Sequence, residues 1–150
     1  MPLALAVGLG TLTVPDALGL LPVPQSRVVL VDARDTDPAE HVLLEDSAVT
    51  RRPVSGMDDA DLPEGELYLH IDLDVCDPAD VPDLLYPAPG GPRLAHVLEA
   101  IERIAATGRV AAVGIGATWR QGSPAASEQR SALSLVATAA LRAQVPSTGD

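Results

Sequence analysis

Three short apolar runs frame the chain. Residues 27–33 (Arg-Val-Val-Leu-Val-Asp-Ala) are rich in β-branched side chains and follow a proline-containing loop, the pattern of a strand buried on both faces. Leu67–Asp72 and Val110–Ile115 repeat it. Enough residues separate each run from the next for a crossover, so three parallel strands are expected. Between the last two, Leu94, Val97, Leu98, Ile101 and Ile104 recur at helical spacing, with Pro92 predicted at the first helical position and Gly108 as the stop. A second helix is predicted from Ser123 as N-cap, with Pro124 next, through Leu141, and Pro146 ends it. The apolar opening from Met1 to Gly8 predicts a buried helix. The polar stretch from Val49 to Gly65 predicts loop, and residues 146–150 a frayed tail.

Strand alternating with helix predicts an α/β fold in a single domain over residues 1–150, with functional groups gathered at the carboxyl ends of the strands. At 150 residues and 47% hydrophobic content, the chain can bury one core of its own. A net charge of -11, with all ten basic residues arginine, argues against nucleic acid and against an anionic membrane surface as partners. The opening segment has no positive leader and is too short to span a membrane. One cysteine, Cys76, excludes an internal disulfide framework and fits a cytoplasmic protein. Ten of the 21 acidic residues lie between Asp58 and Asp83, which suits either bound cations or a solvated face.

Within that acidic stretch, Leu67-Tyr-Leu-His-Ile-Asp-Leu-Asp-Val-Cys-Asp-Pro78 sets Asp72 and Asp74 two residues apart at a strand end, where alternation places both carboxylates on one side. Two such groups repel in a low-dielectric crevice unless a cation, a shared proton or solvent intervenes, and a divalent metal is the strongest explanation. His70 shares their face and is expected to be packed and hydrogen-bonded. His41 and His96 are expected to be exposed, Cys76 to be a buried thiol, and Asp77, before Pro78, to form a turn. Trp119, at a strand end, would stack on a ligand or cover an open edge.

The motif resembles the D-x-D-x-x-D-P signature of the arginase, agmatinase and formiminoglutamase group of ureohydrolases. Pro87-Ala-Pro-Gly-Gly91 is similar to the turn that follows that signature, and Arg34-Asp-Thr-Asp-Pro-Ala-Glu40 is similar to the family's R-D-x-D-P-x-E segment. Met1-Pro-Leu-Ala4 with Gly8 resembles the start of the helix after the family's catalytic histidine. The resemblance implies the C-terminal portion of a three-layer α/β/α arginase-like fold with a parallel sheet, about three strands of it recognisable. It also implies a binuclear Mn²⁺ centre in which Asp72 bridges the metals and Asp74 chelates one. The implied reaction is hydrolysis of a linear C–N bond in a small guanidino-type substrate, and the implied assembly a homo-oligomer.

The sequence also departs from the family pattern. The G-G-D-H and D-A-H-x-D segments that supply the other metal ligands are absent, and Thr118 or Trp119 stands where the family places a substrate-binding glutamate. The chain is therefore expected to be truncated or inactive by itself. Two further readings remain: a non-catalytic remnant serving as a structural or oligomerisation module, and a phosphatase of haloacid-dehalogenase type in which Asp72 is the nucleophile, Asp74 the acid/base and Mg²⁺ the cofactor.

Overall fold

The computed structural model describes residues 2–9, 13–123 and 126–142. In chain order its elements are α1 (Pro2–Ala6), α2 (Thr13–Ala17), β1 (Val29–Val31), α3 (Pro38–Glu45), β2 (Thr50–Arg52), β3 (Leu67–Asp72), α4 (Leu94–Ala106), β4 (Val110–Gly116) and α5 (Ala126–Arg142). Short 3-10 turns at Val54–Gly56, Asp59–Asp61 and Leu73–Val75 link them.

Among the described residues four strands form two parallel pairs, β1 with β2 and β3 with β4, where three parallel strands were expected. The additional strand, β2, lies in the segment predicted to be loop. Its Thr-Arg-Arg sequence has no apolar run to betray it, and it owes its extended form to pairing with β1. The pairing of β3 with β4 slips by one residue between Leu67 and Tyr68. Leu67 opposes Val110 and Tyr68 opposes Ala112, so His70 meets Gly114 and Asp72 meets Gly116.

The core lies on one face of the β3–β4 pair. Leu73, Cys76, Val81 and Val136 are fully buried there, together with Val97, Ala100 and Ile101 of α4 and Ala132, Ala139 and Ala140 of α5. Burial along β3 alternates: Leu67 and Ile71 are inside, whereas Tyr68, His70 and Asp72 are exposed. The expectation of a strand buried on both faces is thus corrected for β3, because α4 and α5 cover a single side. It is corrected for β1 too, which is only half-buried along its length.

The helix predicted to begin at Pro92 begins at Leu94. Arg93 is its N-cap residue but makes no capping hydrogen bond. The cap comes instead from a distant loop, where the Asp80 carboxylate accepts from the Leu94 N–H at 2.8 Å and pairs with Arg93 at 2.6 Å. α4 ends where Gly108 adopts φ +68°, as a left-handed stop requires. α5 covers the second predicted helix, while Pro124 and residues 146–150 lie outside the described residues.

α1 forms as expected but is not buried: Leu3 and Ala4 are half-covered, and Leu5 and Ala6 are exposed. With β1 and α3 it borders an apolar cavity of about 190 Å³ lined by Leu3, Val7, Leu30, Leu43 and Leu44. Among the described residues, no hydrophobic side chain before Val54 is buried, and Leu21 is 91% exposed. No helix among the described residues is long and apolar enough to cross a membrane.

Candidate metal centre

The structure sorts the acidic stretch into caps, ion pairs and a remainder. Asp58 caps the turn at Asp59–Asp61 through the Ala60 N–H, Asp61 pairs with Arg52, Asp59 with Arg109 and Asp80 with Arg93. Asp77 accepts from the Ala79 N–H at 2.8 Å, the turn-forming role expected of it. Arginine hydrogen bonds hold the Asp61 and Asp80 carboxyls below the ordinary carboxylate range. The Arg34–Glu40 segment is likewise structural at one end, since Asp37 accepts from the Ala39 and Glu40 N–H groups and Glu40 completes a capping box for α3.

Asp72 and Asp74 have no such partners among the described residues. Asp72 is the last residue of β3 and lies beside Gly116, where an added Cβ would come within 3.2 Å of its carboxylate. Asp74 is not on the strand. It sits in the 3-10 turn Leu73–Val75, so the turn places it near Asp72, and strand alternation does not. Burial pushes the Asp74 carboxyl above its ordinary value of 3.8, and the neighbouring Asp72 and Asp35 charges push it further against the opposing pull of Arg34. The Asp72 charge thus disfavours ionisation of Asp74, and among the described residues neither carboxylate accepts from a side-chain donor.

Arg34, in the loop after β1, fixes the turn that carries Asp74. Its guanidinium donates to the carbonyls of Asp74 and Val75 at 2.9 Å, of Ala88 at 3.0 Å, and of Asp32 and Pro89 at 3.2 and 3.3 Å. Gly91 closes over this clamp, where an added Cβ would lie 2.5 Å from the Val75 carbonyl oxygen and 2.7 Å from an Arg34 nitrogen. In the sequence, Arg34 and Gly91 stand only as parts of segments similar to the family's. Their contact, across residues far apart in sequence, has no local pattern that would reveal it.

His70 departs from expectation: it is exposed, with Nδ1 3.3 Å from the Tyr68 hydroxyl, on the same strand face as Asp72. His41 and His96 are exposed as expected, and His41 pairs with Glu45 along α3. Cys76 is fully buried, and burial pushes its thiol up to about 11, so it is an inert core residue. Trp119 is half-buried and bridges to Leu84. Its indole N–H has no acceptor among the described residues.

Among the described residues, no group of three or more His, Cys, Asp or Glu side chains converges to hold a metal ion. The pair presents two hard carboxylate groups, a donor type that suits Mn²⁺ or Mg²⁺. The electrostatics imply a test. Asp74→Asn removes a carboxylate that burial and Asp72 disfavour, so it should stabilise the fold at pH 7 by about 0.5 kcal/mol, a small gain because solvent screens a half-buried group. Because the folded value is raised, the native state holds its proton more tightly. The penalty is absent below pH 3.8, grows as pH rises through the shifted value, and is complete above it. Urea unfolding of both proteins from pH 3 to 7 should show the gap opening with pH, and a gap independent of pH would rule out this account.

A family model described as the arginase family matches residues 20–140. No curated protein matches the chain. Among solved structures, arginase from Bacillus subtilis is similar with a TM-score of 0.82 and 21% identity over 94% of this chain and 52% of that one. Arginase from Bacillus caldovelox gives 0.79 and 21% over 94% and 51%. Formimidoylglutamase from Bacillus subtilis gives 0.68 and 17% over 83% and 43%. The chain thus spans about half the length of the structures it matches.

Proposed function

The chain belongs to the arginase family, and on that premise we propose that the carboxyl end of β3 is part of a metal-dependent hydrolase site, with Asp72 and Asp74 as ligands for Mn²⁺. The observation that carries the reading is the pair itself. Ion pairs, turns and caps account for Asp58, Asp59, Asp61, Asp77 and Asp80, whereas Asp72 and Asp74 stand together with no donor among the described residues, and Asp74 is raised partly by its neighbour. A divalent cation would relieve that repulsion. When bound, such a metal supplies an activated water near neutral pH and polarises the bond to be cleaved.

The residues of this chain serve to position the pair. Leu73, fully buried between the two aspartates, pins the turn to the core, and Arg34 holds the main chain of Asp74 and Val75 from the other side. Gly116 leaves room beside Asp72. The substrate class that fits the family is a small guanidino-type compound cleaved at a linear C–N bond. Thr118 and Trp119, at the place of a substrate-binding acid, favour a second reading in which the chain is a non-catalytic module of the same fold.

Metal uptake separates these readings. Loss of the free Mn²⁺ resonance signal on titration should report binding by the wild type. The Asp72→Ala/Asp74→Ala double variant should bind at least about tenfold more weakly, since even groups one step removed from a metal cost that much. Equal uptake by both proteins would sink the metal reading. Urea release from arginine or agmatine, or formamide release from formiminoglutamate, present in the wild type and lost in the double variant, would favour the hydrolase over the module.

A further inference from the structure

The open face of the β3–β4 pair continues past the end of β3. From β4 onwards the side chains divide by alternation: Val113, Ile115, Ala117 and Trp119 pack on the core, while Gly114 lies against Tyr68 and His70, and Gly116 against Asp72. Thr118 and Arg120, the next two residues on the Gly116 side, are exposed. Trp119 therefore faces inward and Thr118 outward, and beyond Gly116 the open face presents a hydroxyl and then a cation. This stretch is held in place. The Leu85 N–H donates to the Thr118 carbonyl at 2.7 Å and the Arg120 N–H to the Asp83 carbonyl at 2.9 Å, on either side of a bridge between Trp119 and the buried Leu84. Asp83 turns through a left-handed φ of 61°, and its carboxylate accepts from the Ser123 hydroxyl.

The guanidinium carried by this segment is uncommitted. Arg27, Arg34, Arg52, Arg93, Arg103 and Arg109 bond to main-chain carbonyls or to acids. The Arg120 guanidinium has no partner among the described residues, although Asp83 lies against its main chain. A chain of net charge -11 thus keeps an unpaired arginine at the carboxyl end of β4, where ligands of an α/β sheet bind.

We propose that Arg120, with the Thr118 hydroxyl beside it, binds a carboxylate at the far end of a linear ligand whose other end lies at Asp72 and Asp74. Asp72 stands opposite Gly116, and an extended chain rising about 3.3 Å per residue sets Arg120 roughly 13 Å further on. A guanidinium donates two parallel hydrogen bonds to a carboxylate, a geometry that an amide or an amine at the same place does not reproduce. The inference rests on the reading of the β3 end as a substrate site and deepens it: the ligand carries a carboxylate, and Arg120 selects for it.

The test is equilibrium binding to the whole chain without added metal, followed by ligand-observed NMR, with 4-guanidinobutyrate and 4-guanidinobutanamide as probes. The two differ only in carboxylate against amide. The amide carries the greater positive charge, so the net charge of -11 favours it over the rest of the surface. The wild type should nevertheless bind the butyrate at least about tenfold more tightly than the amide, the worth of one charge-assisted contact. Arg120→Gln should abolish that preference, Arg120→Lys should keep part of it, and Arg51→Gln, at an exposed arginine of β2, should leave it intact. The proposal is overturned by equal binding of the two probes, by no binding of either, by a preference that survives Arg120→Gln, or by an equal loss in Arg51→Gln. Because no metal is present, a failed Mn²⁺ titration leaves this result standing, and loss of the preference leaves the metal reading standing.

Discussion

Arg34→Ala should lower the unfolding free energy by about 4 kcal/mol, measured by urea denaturation with the single tryptophan, Trp119, as the fluorescent probe. Arg34 donates to five main-chain carbonyls drawn from three separate loops. Each hydrogen bond to a charged donor is worth on the order of 1.5–3 kcal/mol singly, but bonds sharing one side chain do not add. Several of the stranded carbonyls are partly buried, which is why the cost exceeds that of a surface ion pair. Arg34→Lys should recover less than half, because an ammonium cannot span the planar fork that reaches Val75, Asp74 and Ala88 together. A loss under about 1 kcal/mol for alanine would mean that solvent satisfies these carbonyls and that the turn carrying Asp74 holds itself.

Leu73→Ala should cost about 3 kcal/mol, within the range for emptying a fully buried leucine site. The effect should reach beyond stability. Leu73 stands between the two candidate ligands, so a cavity beneath it frees the turn, and Mn²⁺ uptake should weaken even under conditions where the variant remains folded. Leu73→Met, close in volume, should cost under about 1.5 kcal/mol and preserve uptake. Parallel denaturation and Mn²⁺ titrations decide the matter, and uptake unchanged in a folded Leu73→Ala protein would mean that the core does not position the pair.

Legibility in the sequence tracked the range of the interaction that fixes each element. β3 was readable to the residue, because Leu67–Asp72 carries apolar Leu67, Leu69 and Ile71 at alternate positions, and α4 was readable to within two residues from its apolar period. β2 was invisible because Thr50–Arg52 is extended only by virtue of its neighbour. Pro92 misled because the residue that caps α4 is Asp80, in a loop that local helix signals do not reach. At the candidate site, the identities of Asp72 and Asp74 followed from spacing and family resemblance. Their surroundings did not, because Asp74 is placed by a 3-10 turn held by Arg34, and these contacts cross about 40 residues of sequence.

The slip between β3 and β4 has a consequence for how the site could be altered by insertion or deletion. One extra residue, Ala111, has no partner on β3, and everything beyond it is advanced by one position. In that phase the bulky polar residues of β3 oppose glycines, with His70 across from Gly114 and Asp72 across from Gly116. In an unbroken ladder, with Ala111 set opposite Tyr68, the same strands would place His70 against Val113 and Asp72 against Ile115, and branched side chains would crowd the positions that are now open. Deleting Ala111 would remove the bulge and keep both oppositions, whereas a residue inserted after Ala112 would shift them by one without altering any residue that touches Asp72. The spare alanine lies outside the pairing count, so position 111 should tolerate both substitution and deletion, whereas a one-residue insertion after Ala112 should not be tolerated.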